Sequence, residues 1–459
     1  MKKLSPVRRS FAFRPNPFSL LLVLLLLVYG PTAGQNPELE KKVDAYLHAH
    51  LQQGTFSGSV LIAEKGKVLV SKGYGLANAA TNTPNAADTK HRLGSITKQF
   101  TATLIMQLQE KGKLQVTDKL SKYLPDYPQG DKITIHHLLT HTSGVPSFTG
   151  FEDYQKTMAQ PSTLPQLIER FKHKPLEFEP GSKFNYSNSG YVLLGHIIEK
   201  ASGQTYESAL QNFILQPLRM ADSGYEPANP SPEKRAVGYL MIGEKPEVAA
   251  PIHMTVPHGA GAMFSTVQDL YKWNQGLKEN KILQPKSLQQ MFTPFKGNYG
   301  YGWVIDSVFQ QKRVQHGGGI NGFRTILMHF PEKDLFIVAL SNTETYSEKI
   351  GQDLAAIALG QPYDLPKSRT ALQLPQRILD QYVGEYQLAP NFILTFTVEN
   401  GQFFTQATGQ PKVEAFAESE SKFFLKVVDA QLTFNKNEKG EVTHVVLHQG
   451  GNHIAKKIK

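Results

Sequence analysis

Apolar residues fall at helical spacing in several stretches of this chain and gather into short strand-like runs elsewhere. Leu39, Val43, Tyr46, Leu47 and Leu51 predict an amphipathic helix over residues 38–52. Phe100, Leu104, Ile105 and Leu108 predict a second over 96–109, stopped at Lys111-Gly112. Residues 136–141, 191–200 and 267–277 read as further helices. Ser59-Val-Leu-Ile-Ala63 and Lys67-Val-Leu-Val-Ser71 flank Glu64-Lys65-Gly66 and predict a hairpin. Thr325–Phe330 and Leu335–Leu340, either side of Pro331-Glu-Lys-Asp334, predict another. One sheet assembled from both ends of a domain, with a helical insertion between them, accounts for this order.

The pattern changes after residue 357. Residues 357–374 carry Gly360, Pro362 and Pro366, with Pro375 just beyond, and read as a connector. From about Leu379, short alternating runs recur: Phe392–Val398, Lys422–Val427, Gln431–Phe434 and Val442–Leu447, with turns at Asn400-Gly401 and Lys439-Gly440. They predict a small all-β domain, a barrel or curved sandwich. Its phenylalanines, Phe392, Phe396, Phe403, Phe404, Phe423 and Phe424 among them, are expected in its core.

Composition changes the picture mainly at the N-terminus. The balance of 40% hydrophobic and 19% charged residues is that of an ordinary globular chain. Of a formal net charge of +10, five charges come from Lys2, Lys3, Arg8, Arg9 and Arg14. These precede the apolar run Phe18–Tyr29 and the small residues Thr32-Ala33-Gly34, the layout of an export signal. Twelve residues span about 18 Å as a helix, short of a ~30 Å hydrocarbon core. Residues 1–34 are therefore expected to be a signal peptide cleaved before Gln35, in preference to the alternative of an uncleaved anchor, leaving an exported, periplasmic or secreted protein without stable membrane insertion. The chain has no cysteine, which excludes disulfides, thiol catalysis and a lipid-modified cysteine. No basic run suits a nucleic acid.

Three short motifs carry the candidate chemistry. In Ser95-Ile-Thr-Lys98, residues three apart share a helix face, so Lys98 can reach the Ser95 hydroxyl. A serine needs a base, and a lysine serves as one only when burial or a neighbouring cation favours its neutral form. Ser95 follows Gly94 and opens a helix, whose free N–H groups suit a developing oxyanion. The bare pattern is cheap, since Ser231 and Ser419 also stand three residues before a lysine. Tyr186-Ser-Asn188 is the one Tyr-x-Asn in a chain of 18 tyrosines. It lies between the Pro180-Gly181 turn and the helix expected near Tyr191, which places it in a loop. Its phenol can relay protons, and its amide can donate to a substrate carbonyl and hold the lysine. His316-Gly-Gly-Gly319 forms a glycine run that lets a second backbone approach. An edge strand there can pair with a peptide-like substrate and offer an N–H to an oxyanion, while His316 can bind a carboxylate or assist proton transfer.

Taken in this order, Ser-Ile-Thr-Lys, Tyr-Ser-Asn and His-Gly-Gly resemble the penicillin-recognising serine hydrolases. The nearer branch holds class C β-lactamases and D,D-carboxypeptidases, with esterases and D-aminopeptidases. His137-Leu-Leu-Thr-His-Thr-Ser-Gly144, Pro180–Asn188 and Gly259–Thr266 resemble the same family. The resemblance spans roughly residues 40–355. It implies an α/β (α+β) fold, an antiparallel sheet flanked by helices with an α-helical subdomain, and the site between them. It also implies Ser95 as nucleophile and Lys98 and Tyr186 as proton carriers. Asn188 would orient lysine and substrate, the N–H groups of Ser95 and Gly319 would form an oxyanion hole, and His316, Gly317 and Gly318 would complete the substrate-binding strand. His316 stands where class C β-lactamases have lysine, a departure that favours a peptidase or esterase.

The expected organisation is thus a signal peptide over 1–34, a hydrolase domain over 35–358, a linker over 359–376 and an all-β domain over 377–459. The expected activity is cleavage of an amide or ester in a small-molecule or peptide-like substrate through an acyl-enzyme on Ser95, with no cofactor. The alternative is a weakly catalytic penicillin-binding or sensor protein of the same fold. His136, His137 and His141 lack a His-Glu-x-x-His pattern, so a metal is not expected. The absence of Gly-x-Ser-x-Gly disfavours an α/β-hydrolase elbow.

Overall fold

Two hairpins from opposite ends of the stretch Gly58–Ser341 meet in one sheet because neither can bury both of its faces alone. The computed structural model describes residues 36–226, 233–242, 245–366, 371–390, 392–410, 412–425, 430–449 and 451–459. The expected signal and its cleavage point before Gln35 lie outside them, as do Ser231 and Val427.

The elements that position the site are, in chain order, helix α1 (Pro37–Gln52), strands β1 (Gly58–Glu64) and β2 (Lys67–Tyr74), helix α2 (Thr97–Glu110), the short helix α3 (Ile135–Leu139), and helices α4 (Asn188–Ser202) and α5 (Val267–Lys278). Strands β3 (Val304–Val308), β4 (Gln311–Ile320), β5 (Phe323–Phe330) and β6 (Leu335–Ser341) follow, then helix α6 (Ser347–Leu359). The sheet order is β3-β4-β5-β6-β1-β2, antiparallel throughout. Register aligns Leu61 with Val338, and Val338 with Leu327.

These three side chains share one face and join the larger core with Phe100 and Leu104 of α2, Leu193 of α4 and Trp273 of α5. Their neighbours Val60, Ile62, Ile337, Ala339, Ile326 and Met328 turn to the other face, against Val43 and Leu47 of α1 and Ile350 and Leu354 of α6. Burial on both faces explains why β6 reads as an unbroken apolar run rather than as an alternation. The helical layer is tied together by Trp273, which stacks on Phe100 with ring centroids 4.0 Å apart and donates to Gln99 Oε1 at 3.1 Å.

Side-chain capping accounts for the starts of α1, α3, α4 and α5. Asn36 accepts from the Leu39 N–H ahead of α1, and Thr266 from the Asp269 N–H ahead of α5. At α4 the boundary differs from the sequence expectation. Ser187 accepts from the Gly190 N–H, so the helix begins at Asn188, three residues before Tyr191, and Asn188 is helical rather than in a loop.

Beyond α6 the chain closes an eight-stranded barrel: β7 (Gly384–Ala389), β8 (Phe392–Glu399), β9 (Gln402–Ala407), β10 (Val413–Ala417), β11 (Lys422–Leu425), β12 (Ala430–Lys436), β13 (Val442–His448) and β14 (Asn452–Lys457). Pairing of Tyr386 with Lys457 and Gln387 with Lys456 joins the last strand to the first. Tyr382, Tyr386, Phe396, Phe403, Phe423 and Phe434 fill the interior, as side chains do in a barrel this narrow. Phe424 is buried and Phe404 half-buried, but the strand pleat turns each to the face opposite Phe403 and Phe423, away from that interior. Leu372, within the expected linker, donates its N–H to Ala417 O at 2.8 Å.

Among the described residues no helix is long and apolar enough to cross a membrane. Leu340 is fully buried near the C-terminal end of β6. Leu340→Ala should lower the free energy of unfolding by about 2–5 kcal/mol, read by chemical denaturation of the full chain.

Candidate active site

The site forms where a tight turn crosses a glycine strand. Strand β3 pairs with β4 only as far as Gln315, so from His316 onward β5 alone continues the ladder. Leu93, Gly94 and Ser95 pass directly against this stretch, and Thr325 on β5 donates its hydroxyl to Leu93 O at 2.8 Å. A Cβ on Gly318 would stand 2.0 Å from Leu93 O, and one on Gly94 would stand 2.8 Å from the Gly319 nitrogen. Gly94 also has φ +54°, a left-handed conformation. Both positions therefore require glycine for the turn and strand to touch. The chain then makes one 3-10 turn over Gly94–Ile96 and enters α2, which leaves Ser95 at the N-terminal end of that helix and partly exposed.

Lys98 lies one turn on, fully buried at 0% exposure. Its Nζ is 2.9 Å from Ser95 Oγ, 2.8 Å from Asn188 Oδ1 and 2.8 Å from Ala260 O. As an ammonium it donates to all three. As a neutral amine it keeps two donors, enough for Asn188 and Ala260, and turns its lone pair to the Ser95 hydroxyl. Burial pulls the Lys98 pKa well below the usual lysine value, which favours this second state. The Tyr186 and Tyr191 rings lie 4.8 and 5.5 Å from Nζ. The segment carrying Ala260 is held against α2: Thr101 donates to Gly259 O at 2.6 Å, and the Met263 N–H to Thr97 Oγ1 at 3.2 Å.

Asn188 is oriented before it meets the lysine. Its backbone N–H donates to Ser147 Oγ at 3.1 Å and its Nδ2 to Thr149 Oγ1 at 3.0 Å, so Oδ1 faces Nζ. Tyr186 precedes the cap residue of α4. Its hydroxyl oxygen is buried and has no hydrogen-bond partner among the described residues. Burial raises the phenol pKa; Ser95 lies near enough to pull the other way without meeting hydrogen-bond geometry.

His316 differs from its expected part. It is buried, Tyr299 Oη lies 2.8 Å from Nε2, and Gly317 O lies 2.5 Å from Nδ1. A carbonyl only accepts, so Nδ1 carries the proton and Nε2 accepts from Tyr299. Both nitrogens are thereby engaged, and neither is free to bind a carboxylate or move a proton. Burial, reinforced by the Lys98 charge, pulls the imidazole down to about 3, so the ring is neutral across the physiological range. Gly317 and Gly318 are half-buried and Gly319 is exposed at the strand's end.

Sequence reasoning thus brought Ser95, Lys98, Tyr186, Asn188 and the glycine strand to one place but missed Tyr299, Ser147, Thr149 and the Ala260 carbonyl. Ala260 lies within the family-like segment Gly259–Thr266, but that segment does not by itself single out a main-chain carbonyl. The three histidines near α3 hold separate posts: His136 meets Tyr301 Oη at 2.8 Å, His137 accepts from the Thr134 N–H, and His141 accepts from the Ser187 N–H. Among the described residues no group of three or more His, Asp or Glu could hold a metal ion. Ser419 accepts from the Lys422 N–H in an exposed turn of the barrel and is not part of the site.

A serine opening a buried helix, a lysine three residues on and a Tyr-x-Asn segment facing both define a serine hydrolase of the β-lactamase and transpeptidase type. The chain belongs to the beta-lactamase family, whose model matches residues 39–361. Residues 368–456 match a second family, described as a domain of unknown function (DUF3471). The chain is similar to penicillin-binding protein 4* of Bacillus subtilis (strain 168), 30% identical over 432 residues, covering 88% of this chain and 95% of that protein. It also resembles the octameric penicillin-binding protein homologue from Pyrococcus abyssi, at TM-score 0.63 and 26% identity over 91% of this chain and 99% of the other. The D-amino acid amidase from Ochrobactrum anthropi SV3 shares the fold at TM-score 0.63 and 24% identity, over 70% of this chain and 98% of its own.

The crossing at Gly318 gives a paired test. Gly318→Ala sets a methyl 2.0 Å from Leu93 O and 2.3 Å from Thr325 Oγ1, whereas Gly317→Ala meets nothing nearer than 3.5 Å. Gly318→Ala should be destabilised by about 1–3 kcal/mol or more by chemical denaturation, and Gly317→Ala by much less.

Proposed function

We propose that this chain is an exported serine hydrolase that cleaves an amide or ester through an acyl-enzyme on Ser95. The observation that carries the reading is Lys98, fully buried and 2.9 Å from the Ser95 hydroxyl. In the proposed reaction, neutral Lys98 takes the Ser95 proton as Oγ attacks the substrate carbonyl. The N–H groups of Ser95 and Gly319 receive the oxyanion, and the Asn188 amide steadies lysine and substrate. Collapse of the tetrahedral intermediate breaks the bond to the amine or alcohol, which leaves with a proton delivered through Tyr186. Water then attacks the acyl-serine, gives up a proton along the same route and restores Ser95.

Within the family, the reading favours a D,D-peptidase, D-aminopeptidase or esterase over a true β-lactamase. Support comes from His316, which stands where the β-lactamases have lysine and brings a neutral ring with both nitrogens engaged. A penicillin-binding protein with little turnover is the second reading, favoured by the name of the 30%-identical relative. A burst of acylation without steady turnover of small esters, D-amino-acid amides or a chromogenic cephalosporin would decide for it. Export rests on the N-terminal layout alone, and N-terminal sequencing of protein recovered outside the cytoplasm, starting at Gln35, is its test.

A fluorophosphonate or fluorescent penicillin should label the wild type and not Ser95→Ala; equal labelling of both would reject Ser95 as nucleophile. Lys98→Ala should lose about 10²–10⁴-fold in acylation rate. Because burial lowers the Lys98 pKa, kcat/KM should rise as pH climbs through that lowered value and the amine loses its proton. His316, held near about 3, should add no step between pH 5 and 9.

A further inference from the structure

We propose that His141 is a positioning residue for Tyr186, an uncharged imidazole whose backbone and ring together hold the phenol beside Lys98 and Ser95. The inference rests on the serine-hydrolase reading above and goes beyond it by giving work to a residue outside its three motifs.

The argument begins with the backbone. His141 has φ +55°, a left-handed conformation that a residue other than glycine keeps only when its surroundings over-determine it. The surroundings here are the two neighbours of Tyr186. His141 O accepts from the Asn185 N–H at 2.9 Å, and His141 Nδ1 accepts from the Ser187 N–H at 3.1 Å, 46 residues away in sequence. Tyr186 is thus bracketed on both sides by bonds to one residue. The imidazole also lies against the phenol ring, with centroids 4.1 Å apart and planes 33° apart. An ordinary right-handed backbone at 141 would not leave both the carbonyl and the ring where they are.

The same bonds set the ring's protonation. Because Nδ1 accepts from an N–H, the proton of the neutral ring is on Nε2, which is buried without a partner among the described residues. The titratable groups around it are Tyr186, Tyr191 and Tyr299, in ring contact, and Lys98 and His316, whose charged forms would disfavour its own. Burial, then Lys98 and His316, hold its pKa well below the usual imidazole value. A neutral ring also serves Lys98. It excludes water from the space beside the phenol without adding a carboxylate that would pin the ammonium form.

The test uses the full chain with His141→Ala, His141→Asn and His141→Phe. Asparagine tolerates a left-handed backbone and its side-chain oxygen can accept from the Ser187 N–H; phenylalanine keeps a ring but offers no acceptor. Rates are normalised to the fraction of enzyme that labels at Ser95, and melting temperatures are recorded alongside. His141→Ala should lower kcat on a small ester by roughly 10–100-fold with KM within about threefold, the scale of a misplacement near 1 Å. The acid limb of its kcat/KM profile should move to higher pH, because water admitted beside Lys98 favours the ammonium. His141→Asn should recover most of kcat, and His141→Phe should not. An unchanged kcat and acid limb in His141→Ala, or an Asn variant no better than Ala, overturns the proposal. If the wild type itself fails to label at Ser95, the serine-hydrolase reading falls. The positioning claim is then decided by a crystal structure of His141→Ala, which supports it if the Tyr186 ring has moved and overturns it if the ring has not.

Discussion

A buried lysine without a carboxylate is the constraint on which the site depends. Taking an ammonium out of water is costly, and a protein tolerates it by supplying acceptors or by letting the group lose its proton. At Lys98 the acceptors come from three places: its own helix turn through Ser95, the start of α4 through Asn188, and the 258–261 turn through Ala260. All three are neutral, so they satisfy the N–H bonds without fixing the charge. A carboxylate in their place would stabilise the lysine and hold it protonated. The arrangement instead leaves the protonation state to burial, which favours the neutral amine.

Three segments converge on one nitrogen only if larger elements hold each of them. Helix α2 is anchored by Phe100 against Trp273, and through α5 to the sheet. Helix α4 starts where it does because Ser187 caps it, which fixes Asn188 as its first residue. The sheet contributes most by omission. Gly318 and Gly94 remove two side chains where the serine turn crosses β4, bringing the Gly319 nitrogen beside the turn that carries Ser95. The two-sided core matters here because a sheet buried on both faces resists the small shifts that would open such a crossing.

Much of this was legible in the chain because local pattern and global packing agree. Both hairpins of the main sheet could be read from apolar runs broken by turn residues, and the barrel from alternation. The Phe403-Phe404 and Phe423-Phe424 pairs misled, because composition alone cannot say which member of an adjacent pair faces inward; the pleat decides. Apolar periodicity predicts α4 from near Tyr191, whereas the cap that starts the helix precedes it. Ser95, Lys98, Tyr186 and Asn188 stood out because their spacing is local. Tyr299 did not, and His141 stood out only as part of a family-like segment and a rejected metal cluster, not for its role here. The value of Tyr299 lies in a bond to His316 across 17 residues, and that of His141 in bonds to a loop 46 residues away and in a backbone angle, none of which periodicity records.

The histidine of the third motif shows how one substitution is absorbed by a neighbour. A lysine there would place a second cation near Lys98. Histidine, with Tyr299 donating to one nitrogen and Gly317 O accepting from the other, is held neutral and spends its polar groups within the protein. What the motif then presents at the mouth of the site is backbone, the exposed Gly319 and the free edge of β4 beyond Gln315. In the proposed reaction, therefore, the third motif acts through the geometry of its main chain. Recognition of a substrate's charge would have to come from residues outside it, which is why a family defined by shared acylation machinery can divide so widely in what it cleaves.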